Sequence, residues 1–114
     1  MRHTLGLSRR TLLTLAIAMF SLFAASCAQE PLLPPDADAG LISGYDVYRA
    51  RCASCHGSDG GGGIGRSLQR IETRLTDAEQ IEVISGGRNR MPRFDGLLSE
   101  SDIEDVVRFT REIF

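Results

Sequence analysis

The 114-residue chain has 13 arginines, no lysine and 15 acidic residues, and its 42% hydrophobic and 25% charged composition excludes both a disordered polyelectrolyte and a bundle of membrane spans. Charge is divided along it: after Cys27 stand 10 arginines against all 15 carboxylates, a formal −5. An acidic domain lacks the basic face that phosphate binding needs, so no nucleic-acid partner is expected; docking is expected on a positively charged protein surface, the alternative being a charge that serves solubility alone.

The chain opens with Arg2, Arg9 and Arg10, an apolar run over Leu12–Ala25, and then Ser26 and Cys27. A run of fourteen residues is shorter than the roughly 20 that span a bilayer, so residues 1–27 are expected to be a signal peptide rather than an anchor helix. Ser8-Arg9-Arg10-Thr11-Leu12-Leu13 resembles a twin-arginine signal, which leaves the export route open. Leu22-Phe23-Ala24-Ala25-Ser26-Cys27 resembles a bacterial lipobox, making Cys27 the expected lipidation site and explaining an odd cysteine in an exported chain. Ser26-Cys27-Ala28 also suits an ordinary cleavage site, from which a soluble protein would begin at Gln29.

Residues 28–40, with Pro31, Pro34, Pro35, Asp36 and Asp38, are expected to form an extended tether. Residues 41–114 are then the folded domain. They are few enough to bury only about 60% of their unfolded surface, so a disulfide, a metal or a cofactor should complete the core. A helix is expected over Leu41–Cys52, with Ser43 as a candidate N-cap. Gly60–Gly63 and Gly65 make Asp59–Gly65 a loop. Thr76 and Glu79 form a capping box for a helix with Ala78, Ile81 and Ile84 inward, stopped by Gly86 and Gly87. A last helix is expected from Ser101, paired with Glu104, burying Ile103, Val106, Val107, Phe109 or Thr110, and Ile113. No segment alternates as a strand does, which makes the domain all-α with three or four short helices.

Cys52-Ala53-Ser54-Cys55-His56 has the spacing of a c-type haem attachment site. Two cysteines three apart lie near one another on a helical turn, where each sulfur can bond a haem vinyl while the adjacent imidazole meets the iron. A zinc site needs four ligands and only these three soft donors cluster; a thioredoxin-like pair needs a βαβ setting that is missing. Loss of the signal would remove Met1, Met19 and His3, leaving His56 as the sole histidine and Met91 as the sole methionine, and so as the expected second axial ligand. Met91 lies in Asn89-Arg90-Met91-Pro92-Arg93-Phe94, a polar stretch that Gly86, Gly87 and Pro92 keep out of helix. A thioether opposite a histidine raises the reduction potential.

Over Leu41–Phe114 the chain resembles the class I cytochromes c, specifically the small bacterial members. The likeness rests on the attachment motif, on Gly44 and Tyr48 eight and four positions before Cys52, on Gly63-Ile64-Gly65-Arg66-Ser67-Leu68, and on Met91-Pro92-Arg93-Phe94. It implies a cytochrome c fold wrapped around one covalent haem c, with Gly44 and Tyr48 packed on Val106 and Phe109 of the last helix. It implies that the carbonyl of a residue near Arg66, where the family commonly has proline, accepts a hydrogen bond from His56. Tyr48, Ile64, Leu68, Leu75, Ile84 and Phe94 become candidate pocket residues, and Arg66, Arg90 and Arg93 candidate partners of the haem propionates.

The function so implied is transfer of single electrons between exported or membrane redox proteins, by a monomer that is not itself an enzyme. Its place would be the periplasmic side of a bacterial membrane, held by lipid at Cys27 or soluble. Two alternatives stand beside it: a cytochrome subunit of a larger dehydrogenase or oxidase, and a haem peroxidase or gas sensor from whose iron Met91 departs.

Overall fold

A computed structural model describes residues 33–114; the basic start, the apolar run, the lipobox-like Cys27 and the beginning of the tether lie outside the described residues. Helix α1, Ala39–Val47, starts two residues earlier than expected because Asp38, not Ser43, is its N-cap: the Asp38 carboxylate accepts from Leu41 N at 3.0 Å. Leu33 and Ala37 already pack against the core, so the chain joins the domain ahead of Leu41. After Val47 the helix widens into a π-helical stretch, Tyr48–Cys52, and tightens again into α2, Ala53–His56. The wide turn rotates the cysteine motif relative to α1, the kind of register change found at functional sites. The helix that carries the motif thus runs on through His56, where Gly57 ends it with φ 84°.

Helix α3, Asp77–Gly86, has the expected capping box, Thr76 and Glu79 each bonding the other's backbone. Its inward face differs: Ala78 is exposed, whereas Gln80 and Ile84 are buried. Gln80 is accommodated because its amide donates to Thr110 Oγ1 at 2.8 Å while its carbonyl accepts from Arg111 at 3.2 Å, leaving no buried polar atom unpaired. Helix α4, Glu100–Ile113, is capped by Ser99 with Asp102, not by Ser101 with Glu104. Two Ser-x-x-acid boxes overlap there, and the upstream one is used. Ile103, Val106, Val107, Phe109 and Thr110 are buried as the periodicity predicts.

The core sits where α1 crosses α4. A Cβ on Gly44 would stand 2.1 Å from the Asp105 carbonyl oxygen and 2.9 Å from Phe109 Cβ, so only glycine admits this approach. Tyr48 and Phe109, both fully buried, have ring centroids 5.4 Å apart, and Phe114 meets them at 5.0 and 5.2 Å. Each such ring contributes roughly 1.5–3 kcal/mol by leaving water, with about 0.5–1.5 more from the ring pairing. Arg108 binds both Asp38 oxygens, at 2.7 and 2.9 Å, and joins the two helices at the surface. Among the described residues there is no strand, only two isolated bridges, Arg88 with Met91 and Asp95 with Leu98. The fold is all-α.

Three cap carboxylates titrate below the ordinary range: Asp38 through the Arg108 hydrogen bond first, Glu79 through bonds from Thr76, Asp102 through bonds from Ser99. A depressed folded-state pKa gives stability that is present above the unfolded value, near 4, and is lost as pH falls through the folded value. Urea midpoints are therefore expected to fall on acidification below about pH 4, and the D38N/E79Q/D102N variant to show a flatter acid limb.

Candidate cofactor site

Cys52 and Cys55 are unpaired thiols lining a cavity of about 200 Å³; Cys52, with His56, also borders a larger one of about 450 Å³. Burial, helped by the nearby Cys55, pushes the Cys52 thiol up to about 11. His56 lies at the end of α2 with Nδ1 2.7 Å from the Arg66 carbonyl oxygen. A carbonyl only accepts, so Nδ1 carries the proton and the Nε2 lone pair is left for a metal. The bond that a proline carbonyl commonly accepts in the family is thus made by Arg66.

The glycine segment is a built turn. Gly62 N donates to His56 O at 2.8 Å, Gly65 N to Cys55 O at 2.8 Å, and Leu68 N to Gly60 O at 2.8 Å. Gly65 lies flat against the imidazole: a Cβ there would be 2.8–3.1 Å from three ring atoms. Tyr48 adds a further tie, its hydroxyl donating to Gly57 O at 2.6 Å, and burial raises its pKa.

Met91 borders both cavities from the opposite chain segment. Its backbone pairs with Arg88 in both directions, at 2.9 and 3.2 Å, across a turn that Asn89 makes with φ 55°. Phe94 N to Ile84 O and Asp95 N to Ser85 O, both 3.1 Å, tie the far side of this loop to the end of α3. The structure thereby brings Cys52, Cys55, His56 and Met91 to one place. Tyr48, Leu68, Leu75 and Ile84 line the larger cavity, and Ile64 and Phe94 the smaller. Arg66 and Arg90 border the cavities, whereas Arg93 does not and instead pairs with Asp95 at 2.7 Å. Ile71, Arg74, Val83 and Arg88 are lining residues that the sequence reading did not name.

The family described as cytochrome c oxidase, cbb3-type, subunit III matches residues 39–109. The chain belongs to this family of c-type cytochromes. The cytochrome is 36% identical to a cytochrome c-553-like protein of Synechocystis sp., over 90% of this chain and 95% of the relative, and 31% identical to cytochrome c6 of Nostoc sp., over 87% and 86%. Among solved structures it is similar to the c-type cytochrome XoxG of Methylobacterium extorquens AM1, with 30% identity and a TM-score of 0.57 over 65% of this chain. Cytochrome CL of Methylophaga aminisulfidivorans, at 23% identity and a TM-score of 0.60, shares the fold. This chain spans 50% and 57% of those two proteins.

Like its relatives, the cytochrome binds one covalent haem c and carries electrons. The site fits such a group: paired free thiols three residues apart, an imidazole with a bare Nε2, a thioether, and apolar walls around a volume within the range of cofactor sites. Among the described residues no group of three His, Cys, Asp or Glu side chains is arranged to hold a metal ion. No helix among them is long and apolar enough to cross a membrane. Gly65→Ala is expected to push the imidazole off the Arg66 carbonyl, costing about 1–3 kcal/mol as overpacking does, with a lowered thermal midpoint and a smaller low-spin fraction in the absorption spectrum.

Proposed function

We propose that Cys52 and Cys55 would hold the haem through thioether bonds, that His56 Nε2 and Met91 Sδ would hold its iron, and that the domain, which the chain joins ahead of Leu41, shuttles single electrons between redox proteins without making or breaking substrate bonds. The observation that carries this is the meeting of those four side chains at one pair of cavities. When bound, the haem supplies one-electron exchange between ferric and ferrous iron. The chain's own part is positional. Arg66 O fixes the imidazole tautomer and plane; the Arg88–Met91 turn and the Phe94–Ile84 bond hold the thioether segment; Tyr48, Leu68, Leu75 and Ile84 exclude water. The main-chain bonds around Met91 support a thioether that would stay at the haem, over a peroxidase or gas sensor from which it would have to depart. The match to an oxidase-subunit family supports an oxidase complex as one partner, and a dehydrogenase remains the other class.

We infer further that residues 1–27 direct export, that Cys27 is acylated, and that the residues between Cys27 and Leu33, where the chain joins the core, tether a monomeric head on the periplasmic side of a bacterial membrane. The lipobox-like sequence and the need to dispose of an odd thiol support this. Mass spectrometry of the mature protein, made with haem-maturation machinery, is expected to show one haem mass and an acyl mass on a chain beginning at Cys27. The C52A/C55A variant is expected to lose all covalent haem and its visible colour. A colourless wild-type protein, or covalent haem on the double variant, would refute the assignment.

A further inference from the structure

The carbonyl that orients His56 belongs to a sparsely anchored stretch of chain. The main-chain bonds on either side of it are Gly65 N to Cys55 O and Leu68 N to Gly60 O, both 2.8 Å. Between them, neither Arg66 N nor Ser67 N donates to a main-chain carbonyl among the described residues. Glycine precedes position 66 and no proline occupies it, so the sequence itself does little to stiffen the backbone there. Restraint arrives from the next residue. Ser67 Oγ donates to Gly60 O at 3.1 Å, and Arg74 Nη2 donates to Ser67 O at 2.7 Å, with a longer contact to Gln69 O at 3.4 Å. Arg74 is the one donor to Ser67 O among the described residues.

The base of Arg74 is firm. Arg70, at φ 53°, takes a left-handed conformation that residues with a side chain seldom adopt and turns the chain back. Thr73 closes that turn on Arg70 O, at 3.1 Å from its amide and 2.9 Å from its hydroxyl. Arg74 N then donates to the carbonyl of buried Ile71 at 2.9 Å, and the adjacent Leu75 carbonyl accepts from Arg111 of α4 at 3.0 Å. Arg111 is in turn paired with Asp77 of α3 at 2.9 Å. The guanidinium thus stands on a support tied to both helices, while the stretch it grips has little support of its own.

We propose that Arg74 is a positioning residue for His56: by holding the Ser67 carbonyl it fixes the peptide next to Arg66, and so keeps Arg66 O in line with His56 Nδ1–H. A hydrogen bond from a charged donor is shorter and stronger than a neutral one, and the planar guanidinium gives it direction. Without it the Arg66 peptide is free to swing, and the imidazole proton opens to water. The proposal rests on the reading of His56 as a haem ligand given above. Arg74 also borders the larger cavity, so its charge alone could act there. That action would not depend on how stiff the chain is at position 66, which separates the two roles.

The test uses the full mature holoprotein, reduced and isotope-labelled, and follows exchange of the His56 Nδ1 proton with solvent by nuclear magnetic resonance. R74Q is expected to speed that exchange by about fivefold or more, while the amides of Val106 and Phe109 in α4 exchange as in the wild type. In an R66P background, where the ring fixes φ and restricts Gly65, adding R74Q is expected to change the rate by less than about twofold. In an R66Q background, which removes the same charge without stiffening the chain, adding R74Q is expected to give about the full fivefold again. Equal effects of R74Q in the R66P and R66Q backgrounds, or an imidazole proton that R74Q leaves unmoved, would overturn the proposal. So would a rise shared by the α4 amides, which would make Arg74 a residue of general stability. Each of those outcomes, obtained on protein with normal haem absorbance, leaves the site assignment standing. Wild-type protein without that absorbance would refute the assignment itself, and the proposal with it.

Discussion

Gly44→Val is expected to yield little or no folded holoprotein, and Gly44→Ala a protein whose thermal midpoint is lowered by on the order of 10 °C or more. The reason is the closeness of two backbones. Even the single carbon of alanine would stand 2.1 Å from Asp105 O and 2.6 Å from its carbonyl carbon, distances no rotamer change relieves. The helices must move apart, and parting them loosens Tyr48 from Phe109 and exposes rings now fully buried. Inserting volume into a packed core typically costs about 1–3 kcal/mol when side chains can adjust, and here the neighbour is main chain. Valine adds two further methyls against a total stability of about 5–15 kcal/mol. Circular dichroism melts check both variants; an unchanged midpoint for Gly44→Ala would show that the two helices do not meet here.

Met91→Ala is expected to leave the haem attached and to change its electronic state. The protein should lose the absorption band that marks a thioether on iron, bind carbon monoxide readily when reduced, and show a reduction potential lower by on the order of 0.1 V, part of the roughly 0.8 V range that axial ligation commands. Fold and covalent mass should persist, because the turn around Met91 is held by main-chain bonds that alanine keeps: Arg88 with Met91, Phe94 with Ile84 and Asp95 with Ser85. Visible spectroscopy with a redox titration checks this. An unaltered spectrum and potential would remove Met91 from the sixth position and leave the assignment of His56 standing.

Those two residues illustrate what can be read from a one-dimensional string. The cysteine motif and its histidine are legible because the chemistry is local: three donors within five residues on one turn. Met91 is singled out by elimination if residues 1–27 are lost as a signal, and its place at the border of both cavities agrees with that choice. Gly44 and Tyr48 become legible only through family likeness, since their significance lies with Asp105 and Phe109, some sixty residues away. Helix starts are ambiguous in sequence where two caps compete. Ser43 and Ser101 are plausible N-caps in isolation, but Asp38 has Arg108, 70 residues distant, to hold its carboxylate, and Ser99 opens the earlier of two overlapping boxes. The burial of Gln80 is not legible in sequence because a polar residue is accommodated on an inward face only by partners, here Thr110 and Arg111, that lie about thirty residues away. Arg74 and Arg88 reach the site from segments without periodicity.

The crossing of α1 on α4 has a consequence for the order of assembly. The first described helix finds its mate only in the last, so the approach of Gly44 to Asp105 closes a loop of some sixty residues that carries both thiols, the imidazole and the thioether. Closing so long a loop costs chain entropy before its contacts repay it, so this crossing is expected to form late in folding.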